Sequence, residues 1–197
     1  MELPSVKEYP LSSLLKTIHR SFYSTSTKYN QTIHHHIIMN ITQRLLSTHG
    51  GIAALIARLT LGLVMFPHGA QKMLGWFGGY GFTGTMGFFT GMMHIPALFA
   101  LLAILAEFLG SLSLIVGLFS RVAALGIAVN MVVAILMVHS ANGFFMNWFG
   151  KQAGEGFEYH LLAIGLALIV LIQGGGAVSL DRVIGFRIAG KENFANR

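Results

Sequence analysis

The chain has 197 residues, of which 54% are hydrophobic and only 10% charged, a balance outside that of soluble domains and expected of a membrane protein. It has no cysteine, which excludes thiol–disulfide exchange, iron–sulfur ligation and thiolate zinc sites on this chain, so any redox chemistry must come from a cofactor or a partner subunit. The net charge is +6, but the thirteen basic residues are scattered, with no basic helix or RNA-binding motif, so nucleic acid is not an expected partner.

Residues 1–44 differ in composition from the rest, being rich in Ser, Thr, Lys, Tyr and His, and are expected to be a disordered extension. Met39 is an alternative start. Residues 11–38 contain Lys, Arg and Ser but no acid, so a mitochondrial presequence is the rival reading. His34, His35 and His36 are read as a flexible tract rather than a metal site.

Four long apolar stretches follow, at about residues 51–67, 96–119, 122–138 and 159–173. Roughly 20 helical residues span a hydrocarbon core, so the two shorter stretches must borrow flanking residues. A β-barrel would alternate in segments of about ten residues, whereas these runs are continuously apolar. The expected fold is an all-α bundle of four transmembrane helices, with residues 45–184 as its domain and 185–197 as a tail. Pro96 stands where the second helix should begin, a position that tolerates its missing N–H. The short "GLFSRV" connection makes helices two and three antiparallel neighbours, and "GGG" at 174–176 should end helix four. Ala106 and Gly110, Ser113 and Gly117, and Ala124 and Ala128 have the four-residue spacing that lets backbones approach closely in lipid.

Two longer loops connect the other helix ends. The first, "HGAQKMLGWFGGYGFTGTMGFFTGMMHI", is expected to lie along the membrane surface with a short helix near residues 84–92; the second repeats its aromatic, Gly-rich character. The only Lys or Arg residues in these two loops are Lys72 and Lys151, whereas Lys7, Lys16, Arg20, Lys28, Arg44, Arg121, Arg182, Arg187, Lys191 and Arg197 belong to the other end. Both termini are therefore expected in the cytoplasm.

Ionisable groups within or beside apolar helices face the bundle interior or water, because facing lipid costs at least about 2.5–3.5 kcal/mol at the bilayer centre. Arg58 in helix one and Glu107 in helix two are expected at compatible depths and so to pair. Arg58, Gly62, Met65 and Lys72 fall near one helical face, provided Pro67 does not break the helix. His68, Lys72, His139, Glu158 and His160 should gather at the outer rim, as a pocket for an anionic or quinone-like ligand whose imidazoles could pass protons. Glu107, His139 and His160 are the candidate catalytic residues, and Arg58, His68, Lys72 and Glu158 the candidate ligand-binding residues. No compact ligand spacing supports a metal site, and no Walker loop occurs.

Taken together, "ARLTLGLVMFPHGAQKMLGWFGGYG", "LLAILAEFLGSLSLIVGLFSRVAA", "VHSANGFFMNWFG" and "GFEYHLLAIGLALIVLIQGGGAVSLD" resemble the DoxX family of four-helix bacterial membrane proteins. The resemblance rests on Arg58, Gly69 and Lys72, Glu107 and Gly110, Gly117 before Arg121, His139, the 158–160 segment, and the glycines preceding Ser179 and Asp181. It implies a bacterial inner (plasma) membrane protein associated with quinone-linked oxidoreductases, and sulfur-compound or thiol and oxidative-stress chemistry. A quinone is the candidate cofactor, and a membrane or soluble oxidoreductase subunit or a second copy of this chain the candidate partner. A small-solute or proton permease, and a scaffold recruiting a soluble enzyme through the tail, are the alternatives; whether the chain is itself an enzyme is left open.

Overall fold

A computed structural model describes residues 45–48 and 51–195, with side chains described through residue 188. The expectations for residues 1–44, including Met39 and His34 to His36, lie outside the described residues. Among the described residues all regular structure is helical.

Helix α1, Ile52–Leu74, runs through Pro67 and ends at Gly75, whose φ of 74° allows the chain to leave. The proline removes one N–H from the ladder, yet the helix continues, as membrane helices tolerate. A turn at Trp76–Gly78 leads into α2, Gly81–Gly87, which continues as one wide turn over Phe88–Met92. The expected short helix of the first loop is thus present, starting slightly earlier.

Helix α3, Ala97–Val116, begins directly after Pro96 and ends at Gly117 in the left-handed region. Gly117 and Leu118 both donate to the Ser113 carbonyl, closing the helix end, and the chain reverses at once. Helix α4, Ser120–Ala134, continues through a wide turn at Ile135–His139 and a tight one at Ser140–Asn142. Helix α5, Glu158–Gln173, stops at Gly174, and α6, Leu180–Ala195, starts six residues later. Three segments are long and apolar enough to cross a membrane: Ile52–Leu74, Ala97–Val116 and Ser120–Asn142; Glu158–Gln173 is a shorter apolar helix.

Helix α1 packs on α3, α3 on α4, α4 on α5 and α5 on α1, closing a ring. The interior is built from Ala57, Leu61, Met65, Leu114, Ala124, Ile127, Met131, Ala163, Ala167 and Val170. Ile52, Leu63, Leu98, Phe99, Leu102, Leu109, Val129 and Leu162 point outward and are exposed. So many large apolar side chains turned outward is the distribution expected where lipid surrounds the protein.

The register of α1 against α3 fixes everything that follows. A Cβ on Gly62 would meet Leu114 and Ile115, and one on Gly69 would meet the backbone of Glu107 and Phe108 at 2.6–2.7 Å. Seven residues along α1 match seven in reverse along α3, an antiparallel contact in which the glycines admit the partner backbone. Across the next interface Gly126 abuts Ala106 and Gly110 abuts Ile127, so the expected small-residue pair at 106 and 110 lies at a real contact.

Candidate functional site

Glu107 sits midway along α3 and is only 4% exposed. It does not pair with Arg58, and the register explains the correction: the α1 residue facing Glu107 is Gly69, eleven residues or about 16 Å of helix from Arg58. Lys72, one turn beyond Gly69, reaches back instead, its Nζ donating to Glu107 Oε2 at 2.5 Å. The other carboxylate oxygen accepts from Asn130 Nδ2 of α4 at 2.7 Å. One buried carboxylate therefore ties three helices through two side-chain donors. The Lys72 side chain is 27% exposed, against 5% for that of Glu107, so the cation can be approached from outside while the carboxylate cannot.

Beside this triad runs a file of rings. His68 lies 5.9 Å from Tyr159, Tyr159 lies 5.5 Å from His160, and His160 lies 4.0 Å from His139, all between ring centroids. The His68 ring and the Tyr159 hydroxyl are within electrostatic range of Glu107. At the far end of the file, His139 Nδ1 contacts the Glu155 carbonyl at 2.8 Å. A carbonyl only accepts, so Nδ1 carries the hydrogen and Nε2 of a neutral His139 is left as an acceptor. His160 is 6% exposed, and its Nδ1 has no hydrogen-bond partner. An unmet buried ring nitrogen is costly enough to mark a place where a water, proton or ligand group belongs.

The structure thus brings together Glu107, Lys72, His68, His160 and His139, and adds Asn130 and Tyr159. Asn130 is visible in sequence as a polar residue in an apolar helix, but Tyr159 looks like an ordinary interfacial aromatic. The Glu158 carboxylate is engaged by the second loop. Its Oε1 accepts from the Met146 N–H at 3.0 Å and Trp148 Nε1 at 3.2 Å, holding the second loop over the bundle end. Glu155, unremarked in sequence, helps in the same way: its carboxylate accepts from the Asn147 N–H and its carbonyl from Asn142 Nδ2.

Arg58 lies at the opposite end and is 1% exposed. Its guanidinium donates to the carbonyls of Gly175 at 2.8 Å, Ile115 at 2.8 Å and Val178 at 3.1 Å, and to that of Leu114. It satisfies the open C-terminus of α3 and pins the α5–α6 connection, so its donors are committed to backbone rather than to a ligand. Asp181 is its counterpart: its two carboxylate oxygens accept from the N–H groups of Phe119 and Ser120 at 2.6 and 2.9 Å, at the start of α4. Between this knot and the Glu107 layer lie the buried apolar side chains of Leu61, Met65, Leu114 and Ile127. The polar groups form two layers, and the one buried polar side chain of α3 between them, Ser111, spends its hydroxyl on the Phe108 carbonyl.

Among the described residues no group of three or more His, Asp or Glu side chains is placed to hold a metal.

Apolar helices long enough to cross a bilayer, with polar groups turned inward, define a multi-pass integral membrane protein. Residues 53–140 match the DoxX family model, which supports the resemblance read from the sequence from α1 through α4 and the turns that follow it. No curated protein and no solved structure matches the chain.

Proposed function

We propose that this protein is a bacterial inner-membrane subunit of a quinone-linked redox system, with the Lys72–Glu107–Asn130 triad and the adjoining ring file as its working site. The observation that carries the reading is the pairing of a buried carboxylate with a file of three imidazoles and a phenol, within which His160 has an unpartnered buried nitrogen. A quinone would supply electron acceptance coupled to proton uptake, two electrons and two protons per quinol formed. The electrons come from a reduced sulfur compound or thiol acted on by a partner subunit, since this chain has no cysteine to carry them. His160 Nδ1 offers a hydrogen bond to a ring carbonyl, and its neighbours Tyr159 and His139 supply flat walls. Glu107 sets a carboxylate near His68 and Tyr159, and Lys72 balances its charge.

A permease formed by a single chain is less well supported, because the apolar layer of Leu61, Met65, Leu114 and Ile127 separates the two polar layers. The test is binding and reduction of a short-chain quinone by purified protein in nanodiscs, with thiosulfate or a thiol as donor, alone and with membrane extract supplying the partner. Loss of binding or turnover in Glu107→Gln and His160→Phe, with Gly165→Ala unaffected and all variants folded, is the expected outcome. Absence of quinone binding by the wild-type protein in both settings would overturn the reading.

A further inference from the structure

We propose that α6 is an in-plane anchor that binds the anionic lipid surface at the Arg58 end of the bundle. Its start is fixed at the level of the bilayer boundary. The Asp181 N–H donates to the Gly117 carbonyl at 2.8 Å, and its carboxylate holds Phe119 and Ser120, so α6 begins where one candidate span ends at Val116 and the next begins at Ser120.

One face of α6 looks inward: Asp181 is buried and Ile184, Gly185 and Ile188 are partly covered, with Gly185 against Leu46. The opposite face carries Val183 and Phe186, both exposed, with exposed Arg182 and Arg187 on its two sides. Apolar centre and basic edges is the pattern of a helix lying at a headgroup layer, where arginines extend toward phosphates and rings sink. Arg182 stacks on Phe186, its guanidinium carbon 5.6 Å from the ring centroid. The one acid in this first stretch, Asp181, is already consumed by backbone donors, which leaves the outward face purely basic.

Two further apolar side chains are aimed outward at the same level. Phe119 and Val178 have φ of 50° and 52°, a left-handed conformation rare for a β-branched residue, and both are exposed, Val178 at 83%. The Val178 carbonyl is held by Arg58, and the Phe119 N–H by Asp181. The buried Arg and Asp thus hold a strained backbone that presents Val178 and Phe119 to the outside. An anionic lipid surface satisfies all of these groups at once, and its charge is opposite to that of the face.

The cysteine-free chain permits a direct test. Spin labels on Phe186→Cys and, separately, Val183→Cys are read by oxygen and nickel accessibility in nanodiscs of phosphatidylcholine alone or mixed with phosphatidylglycerol, with Lys151→Cys as the loop reference. The expected result is oxygen contact exceeding nickel contact at 183 and 186, a shift to greater depth with phosphatidylglycerol, and loss of that shift in Arg182→Gln/Arg187→Gln. Nickel contact equal to that at 151 would overturn the proposal and leave the face to a soluble partner. Shielding from both probes would overturn it too, because another protein surface, residues 1–44 or a second copy, would then cover the helix. A lipid-embedded label with no response to phosphatidylglycerol would overturn the anionic specificity.

Discussion

A single carboxylate in an apolar helix is stable only when its charge is matched, and Glu107 is matched twice, by Lys72 and by Asn130. Removing one partner is worse than removing both, since the survivor is left buried and charged. Lys72→Met should therefore destabilise the protein by about 1–3 kcal/mol, less than the ~3–5 kcal/mol of a fully buried pair because Lys72 is partly exposed. The double variant Lys72→Met/Glu107→Gln should recover much of that loss, because Gln can still accept from Asn130 without a charge to compensate. Denaturant unfolding of the four members of this cycle in one lipid environment measures the coupling, and simple additivity would show that the pair carries none. Arg58 answers the same problem differently: it meets no carboxylate, and carbonyl dipoles at a helix end absorb its charge.

At the scale of elements, hydropathy alone located α1, α3, α4 and α5, because apolar runs ended by Gly or Pro leave little choice in lipid. The apolar run of α1 ends at Pro67, and only the structure shows the helix continuing through the proline to Leu74. The helical angle between Arg58 and Lys72 was legible, and both indeed face inward, but depth was not. Which α1 residue opposes Glu107 depends on where the two backbones can approach, and that was decided by Gly62 and Gly69. Asp181 and Tyr159 were missed as site-building residues because their roles arise only from partners more than sixty residues away or on other helices. Gly69 gives the sharpest check. In Gly69→Ala the new methyl would meet the Phe108 backbone at 2.6 Å, and no rotamer change relieves a backbone contact. The helices must separate, at a cost of about 1–3 kcal/mol or more, and the Lys72–Glu107 bond lengthens with them. Gly165→Ala, which meets nothing within 4 Å, should instead leave stability unchanged or raise it by up to about 1 kcal/mol. Thermal unfolding of the two variants side by side distinguishes a packing glycine from a permissive one.

For the whole molecule, the topology turns on α5. It has 16 residues, about 24 Å of helix, against a hydrocarbon core of about 30 Å. Its first residue, Glu158, bonds to Met146 and Trp148 in the loop that follows α4, whereas Leu171 near its end accepts from Arg121 at the start of α4. The helix therefore runs beside α4 from one end to the other, and a crossing needs only modest bilayer thinning or a contribution from the flanking residues. We expect four crossings, with the loop holding Lys151 outside and α6 on the cytoplasmic side, where Arg121, Arg182 and Arg187 collect. In cells, an impermeant maleimide should label Lys151→Cys without permeabilisation and Arg187→Cys only after it. Labelling of both positions from the same side would mean that α5 does not cross, and the basic end of the bundle would then have to be reconciled with a three-span protein.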